Sequence, residues 1–227
     1  QYEKELIKRQ DKGDHWSNLR NCAYIQEFRK SKIIYPEITK HLPFFYDYEG
    51  RLYTNQKCFI MLGSKNLKFL VAVFNSSLFR TCFKDNFPEL LGSSRELRKV
   101  FLEKIPIKKP TEDEVALFDI LVPMIQESKK INLETEAAFL EEVIDACVME
   151  IYFPEEAKSK NLEFIYPVLV LLGDLLSDSK MPKPSNTSST KLPVKIIQEF
   201  CSRVGSADHP IRKNWIAWNP TALIFLE

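Results

Sequence analysis

The sequence predicts an α+β fold: a small mixed sheet with helices, followed by a mainly helical C-terminal part. Three observations predict it. Short β-branched and aromatic runs, punctuated by Pro and Gly, crowd into residues 32–62. From Leu67 onward the apolar residues recur every three or four positions, the helical period. Leu133, Ala137, Leu140, Ile144, Cys147 and Ile151 then form a heptad-spaced seam. Strands first and helices afterwards is the α+β pattern. The chain has 227 residues, 44% of them hydrophobic, enough to bury a core. Its longest apolar stretches, Phe69–Phe74 and Pro167–Leu172, fall far short of the roughly 20 residues that cross a bilayer.

Each element follows from local signals. A short helix is expected near Leu19–Arg29. Lys32-Ile33-Ile34-Tyr35 reads as a strand stopped by Pro36. Phe44–Tyr53 reads as strand, turn at Glu49-Gly50, strand. Lys57–Leu62 is a further strand, ended by Gly63. Leu67, Leu70, Val71, Phe74 and Leu78 share one face of a helix expected over residues 66–82. Ser93-Ser94-Arg95-Glu96 has the spacing of a capping box, with Ser93 as N-cap of a short helix that ends before Ile105-Pro106-Ile107. Thr111-Glu112-Asp113-Glu114 is a second capping box, opening a helix interrupted at Pro123. The heptad seam is too short for a free coiled coil, so it predicts a helix packed in a hairpin or bundle, ended by Phe153-Pro154. Leu162–Leu176 is another apolar helix. Ser177–Pro193, rich in Ser, Thr and Pro, reads as a flexible linker.

The expected organisation is therefore a lead-in segment over 1–31, arriving from an N-terminal domain outside this sequence. A recognition core over 32–110 and a helical hairpin or bundle over 111–176 come next. The linker 177–193 and a C-terminal segment 194–227 of unassigned role follow. Five cysteines at irregular spacing, without a C-x-x-C pair, and three histidines argue against a disulfide scaffold and a Cys/His zinc site. They fit reduced thiols in a cytoplasm.

Charge is segregated beneath a net +1. Residues 1–110 carry 21 Lys and Arg against 12 acids, residues 111–180 carry 5 against 16, and residues 181–227 carry 6 against 3. A basic block followed by an acidic one points to a polyanionic partner for the first, and nucleic acid is the usual one. Phosphate-binding loops, a G-x-S-x-G elbow and H-E-x-x-H or deaminase zinc patterns are all missing, and six glycines leave little room for a glycine-rich loop. Trp218-Asn219-Pro220-Thr221 contains Asn-Pro but not the Asn-Pro-Pro-aromatic run of amino-methyltransferases. The carboxylates after residue 111 read as solvated helix faces.

The basic half interleaves cations with side chains able to read base edges. The candidate DNA-binding residues are Lys12, His15, Arg20, Lys40, His41, Arg51, Tyr53, Asn55, Lys57, Arg80, Lys84, Ser93, Ser94 and Arg95. Lysine and arginine neutralise phosphates, whereas Arg, Asn and His can pair with bases in the major groove. A helix capped at Ser93 would offer its N–H groups to a phosphate. Core packing is the expected role of Trp16, Tyr46 and Tyr53. The favoured loops are Thr39–Tyr46, Glu49–Lys57 and Arg80–Arg95, which join elements and hold the polar clusters.

These residues also resemble a known family. Lys32–Ile38 followed by Phe45, Asp47, Gly50 and Cys58-Phe59-Ile60 is similar to the TaqI-like C-terminal specificity domain. Phe69–Ser76 resembles that family's leucine-rich helix ending in Asn-Ser, Leu97–Ile107 its closing helix and Ile-Pro-Ile strand, and Glu142–Phe153 its later helix. The resemblance spans roughly residues 12–156 and implies a DNA-methylase specificity-domain fold. It implies the target recognition domain of a type II or IIG restriction–modification enzyme, binding double-stranded DNA in a bacterial cytoplasm. It further implies an N-terminal methyltransferase domain that carries S-adenosylmethionine and methylates adenine at N6. This chain itself is then expected to be non-catalytic, with no metal, no cofactor of its own and no membrane partner. The rival reading is a protein–protein interaction module that uses the acidic helical region 111–176.

Overall fold

The structure, a computed structural model, describes residues 2–10, 13–18, 22–63, 65–178, 193–206 and 208–224, with side chains described up to residue 217. It has the α+β class that the sequence predicts. Helix α1 (Glu3–Leu6) and a 3₁₀ turn (Ile25–Arg29) lead into strand β1 (Lys32–Pro36). Leu19–Asn21, where the expected first helix would begin, lie outside the described residues.

Strands β3 (Phe45–Asp47) and β4 (Cys58–Leu62) flank β1 in the order β3-β1-β4. Both pairings are antiparallel, with Ile33 opposite Tyr46 on one side and Met61 on the other. A second ladder joins β2 (Ile38–Thr39) to β5 (Arg95–Glu96), also antiparallel. The strands among the described residues are thus antiparallel, not mixed.

Two expectations for this half are corrected. The Phe44–Tyr53 hairpin does not form, because β1 takes the partner edge of β3 and residues 51–55 run on as loop. Gly50 turns the chain at φ +64°, and a Cβ there would lie 2.2 Å from the Arg29 carbonyl oxygen, a place that admits only glycine. Ser93 does not cap a helix: it sits at φ +63° in a 3₁₀ turn (Leu91–Ser93). Glu96, the would-be third helical residue, lies in β5 opposite Ile38. The ladder overrides a purely local capping signal, and the next helix, α4 (Lys99–Leu102), starts later.

The expected helix over 66–82 is two helices, α2 (Leu67–Asn75) and α3 (Ser77–Asn86). Ser76 breaks it with an extended backbone (ψ 158°) and caps α3 by accepting from the Phe79 N–H at 3.2 Å. At Thr111 the capping box does form: Thr111 Oγ1 accepts from Glu114 N–H, and Glu114 accepts from Thr111 N–H. It opens α5 (Glu112–Lys130), which runs unbroken through Pro123. An interior proline costs a helix about 3 kcal/mol. Burial of Leu117, Phe118, Leu121 and Met124 on the same helix offsets that, at roughly 1.5–3 kcal/mol each.

Helix α6 (Glu134–Tyr152) carries the heptad seam, whose Ala137, Leu140, Ile144, Cys147 and Ile151 are buried. It packs on α5, and α7 (Pro154–Ser159) follows directly. Helix α8 (Ile165–Asp178) takes in Ser177 and Asp178 of the expected linker, and residues 179–192 lie outside the described residues. Helices α9 (Val194–Gly205) and α10 (Pro210–Ile224) complete the helical part. One contiguous apolar cluster runs from Ile33 on β1 through α2, α5, α6 and α8 to Ile211 on α10.

Two carboxylates of α6 hold neighbouring helices in place. Asp145 accepts from the Ser77 N–H at the start of α3 (2.8 Å), and Glu150 accepts from Phe164 and Ile165 N–H at the start of α8 (2.5 and 2.9 Å). Burial pushes both carboxyls up, against the pull of those N–H groups. These two acids are interior caps, not the solvated face that the sequence suggests.

Candidate nucleic-acid interface

The sheet positions three loops, and its anchor is a buried ion pair. Lys32, fully buried at the start of β1, donates to Asp47 at the end of β3 (2.5 Å) and to the Phe28 carbonyl (2.6 Å). Asp47 also accepts from the Leu52 and Arg51 N–H groups at 2.9 and 3.3 Å. Burial pushes the Asp47 carboxyl up, but the Lys32 hydrogen bond and the two backbone N–H groups outweigh it and leave its pKa lowered. The pair thereby fixes the turn that presents Arg51. Beyond the turn, Tyr53 stacks on Phe28 with ring centroids 5.2 Å apart.

At the opposite end of the sheet the remaining loops converge. Lys57 O accepts from the Glu37 N–H (2.9 Å), and Glu37 O accepts from the Leu97 N–H (2.7 Å). The β2–β5 ladder sets Thr39 against Arg95, which brings the 39–46 segment and the 87–94 loop together; residues 80–86, expected as part of that loop, are the end of α3. The Lys40 ammonium reaches the turn at Gly92, 3.6 Å from where a Cβ would stand. Thr39 Oγ1 accepts from His41 N–H and donates to the His41 carbonyl, pinning the loop that carries that imidazole. Asn55 Oδ1 accepts from the Lys57 N–H at 2.9 Å and shapes the adjoining turn. Lys40, His41, Asn55, Lys57, Ser93 and Ser94 therefore share one edge, and all but the half-exposed Ser94 are exposed. Among the described residues Lys40 and Lys57 make no ion pair there.

The other candidates fall elsewhere. Lys12 and Arg20 lie outside the described residues. His15 is exposed and hydrogen-bonds Ser17 (2.8 Å) within the lead-in segment. Arg95 is committed internally, paired with Glu89 at 3.3 Å and donating to the Phe87 carbonyl. Lys84 is exposed near the end of α3. Tyr46 is buried as expected, but Tyr53 is 55% exposed, so its core role is corrected.

Arg51 and Arg80 line a cleft of about 1200 Å³ between β3, α2, α5 and α6. Several of its cations pair with acids: Arg51 with Glu49 at 2.9 Å, Lys68 with Asp119 at 3.1 Å, and Lys129 with Glu141. The lining thus mixes both signs of charge. Within the cleft wall Asn75 clamps the outer edge of β3, accepting from Phe44 N–H (3.1 Å) and donating to the Phe44 carbonyl (2.8 Å). Gln126 donates to the Tyr46 carbonyl on the same edge (2.7 Å). Two side-chain amides thus close a strand edge that would otherwise be open to pairing. Sequence reasoning missed Lys32, Asn75 and Gln126 as a set because their partners lie 15, 31 and 80 residues away.

Among the described residues no group of three or more His, Cys, Asp or Glu is placed to hold a metal ion, and no helix is long and apolar enough to cross a membrane. The five cysteines are free thiols, Cys147 buried and the other four half-buried, with burial pushing Cys201 up to about 12.

Residues 1–107 match the sequence model of the TaqI-like C-terminal specificity domain. No curated protein matches the chain. The matched stretch takes in both ladders and helices α1 to α4, and it ends before α5. The α6 segment 142–153, which the sequence resemblance includes, lies beyond it. A specificity domain of this kind serves target recognition in restriction–modification systems and is not itself catalytic. Over residues 1–107, a little under half of its length, the chain is similar to the TaqI-like C-terminal specificity domain.

Proposed function

We propose that this chain recognises a specific sequence in double-stranded DNA as the target recognition part of a bacterial, cytoplasmic restriction–modification enzyme. The observation that carries the reading is the convergence of three loops within the matched stretch on one exposed edge of the sheet. Lys40 and Lys57 on that edge position the phosphate backbone, and His41, Asn55, Ser93 and Ser94 lie within the same patch to read bases. The family's description as a C-terminal domain supports a methyltransferase domain on its N-terminal side. S-adenosylmethionine would belong to that neighbour, since this chain has no glycine-rich loop to cradle it. N6-adenine methylation, with or without cleavage, is the parent's reaction in this reading, and this chain contributes the grip and the choice of site.

The rival module at 111–176 finds less support. Its heptad seam is spent on internal packing against α5, which leaves only the acidic outer faces of the helices for a partner. The test is the Lys40→Ala/Lys57→Ala double variant in equilibrium duplex binding. Loss of two phosphate contacts lowers affinity across all sequences and flattens the salt slope by about 2. An unchanged slope and affinity would remove this edge from the DNA contact.

A further inference from the structure

We infer that Leu91 is an apolar wedge that enters the DNA base stack and opens a step of the duplex, an inference that rests on the DNA-recognition reading above. Leu91 is 98% exposed, the most exposed large apolar side chain among the described residues. It makes no contribution to the core, and its turn is nevertheless tightly built. Leu90 N–H donates to the Ser94 carbonyl (2.7 Å), Glu89 bridges Arg95, and Ser94 Oγ donates to the Leu91 carbonyl (3.3 Å). Gly92 and Ser93 follow with φ +71° and +63°. A serine in that region costs about 1 kcal/mol or more and is kept where the surrounding structure fixes it. The tip therefore holds an apolar side chain outward on a stiff, strained turn.

The charges around it favour nucleic acid as the partner. The Lys40 ammonium lies against the Gly92 turn, and Lys57 stands at the foot of the same edge. The two carboxylates nearest to Leu91 in the chain, Glu89 and Glu96, are each taken by an arginine, Arg95 at 3.3 Å and Arg98 at 2.7 Å. An apolar tip beside free lysines fits a partner with a polyanionic rim and an apolar interior, which is the base stack. Proteins that insert Leu, Ile or Phe between base pairs offset the unstacking with the contacts that the bent duplex allows.

The test compares the 227-residue chain with its Leu91→Ala variant on two duplexes of one sequence, fully paired and carrying a central T·T mismatch. Binding is followed by fluorescence anisotropy across a salt series. A wedge makes the wild-type chain prefer the already weakened mismatch by about tenfold, because part of the unstacking has been done beforehand. Leu91→Ala brings the preference within twofold and keeps the salt slope, since no phosphate contact is lost. Equal slopes with no mismatch preference in the wild-type chain, or a preference that Leu91→Ala retains, would overturn the wedge and leave DNA recognition standing. Absence of binding to either duplex at low salt would sink the recognition reading and the wedge with it. Leu91 packs against nothing in the core, so the variant folds as the parent does.

Discussion

Replacing Asp47 with alanine is the most informative perturbation of the sheet. Lys32 has no exposed side-chain surface and Asp47 only 5%, so the pair is held out of water. Removing the carboxylate leaves a buried ammonium with the Phe28 carbonyl and ring as its remaining contacts among the described residues, and it frees the Arg51 and Leu52 N–H groups. Breaking a buried pair from one side costs about 3–5 kcal/mol. Urea denaturation should show that loss as a lower midpoint at an unchanged slope. The double variant Lys32→Met/Asp47→Leu removes both charges together and should recover most of the loss, because well-packed apolar replacements of buried pairs are often neutral or better. The pH dependence has a defined sign. The folded pKa of Asp47 lies below its unfolded value, so the stabilisation is complete above the ordinary carboxylate pKa of about 3.9. It fades as pH falls through the lower folded value, and the gap between wild type and Asp47→Asn narrows in the same acid range. An Asp47→Ala loss under about 1 kcal/mol would refute the role given to this pair.

Three further outcomes follow from the same contacts. Asn75→Ala removes the clamp on both polar groups of Phe44, and with two part-buried groups unpaired it should cost about 2–4 kcal/mol in thermal or urea unfolding. Gly50→Ala forces a Cβ to 2.2 Å from the Arg29 carbonyl at φ +64°, so it should destabilise by well over 1 kcal/mol, read from the same unfolding curves. Thr111→Ala deletes half of the capping box of α5 and should cost about 1 kcal/mol without touching DNA affinity, measured by unfolding and duplex binding side by side.

What the sequence shows of this fold depends on how local each signal is. Strands β1 and β4 and the Thr111 box are legible because their determinants lie within a few residues. Ser76 is not: Leu67, Leu70, Val71, Phe74 and Leu78 keep one helical face across it, so the periodicity conceals the break. Ser93-Ser94-Arg95-Glu96 spells the same local pattern as Thr111–Glu114, yet pairing with Ile38 and Thr39 decides its structure. Pro123 signals an interruption that the packing of α5 overrides. At the candidate edge the residue types are legible, since Lys40, Asn55 and Lys57 stand in polar loops. Their convergence is not, because it depends on backbone bonds from Glu37 to Lys57 and Leu97. The commitment of Arg95 to Glu89 likewise appears only in three dimensions.

Selection from a randomised duplex pool over a salt series puts sequence-specific DNA recognition to the test. Binding should weaken with salt at a slope of about −4 to −7, as roughly 4–8 phosphate contacts require, and one short sequence should be enriched. Retention that ignores salt, with no sequence enriched, would contradict it.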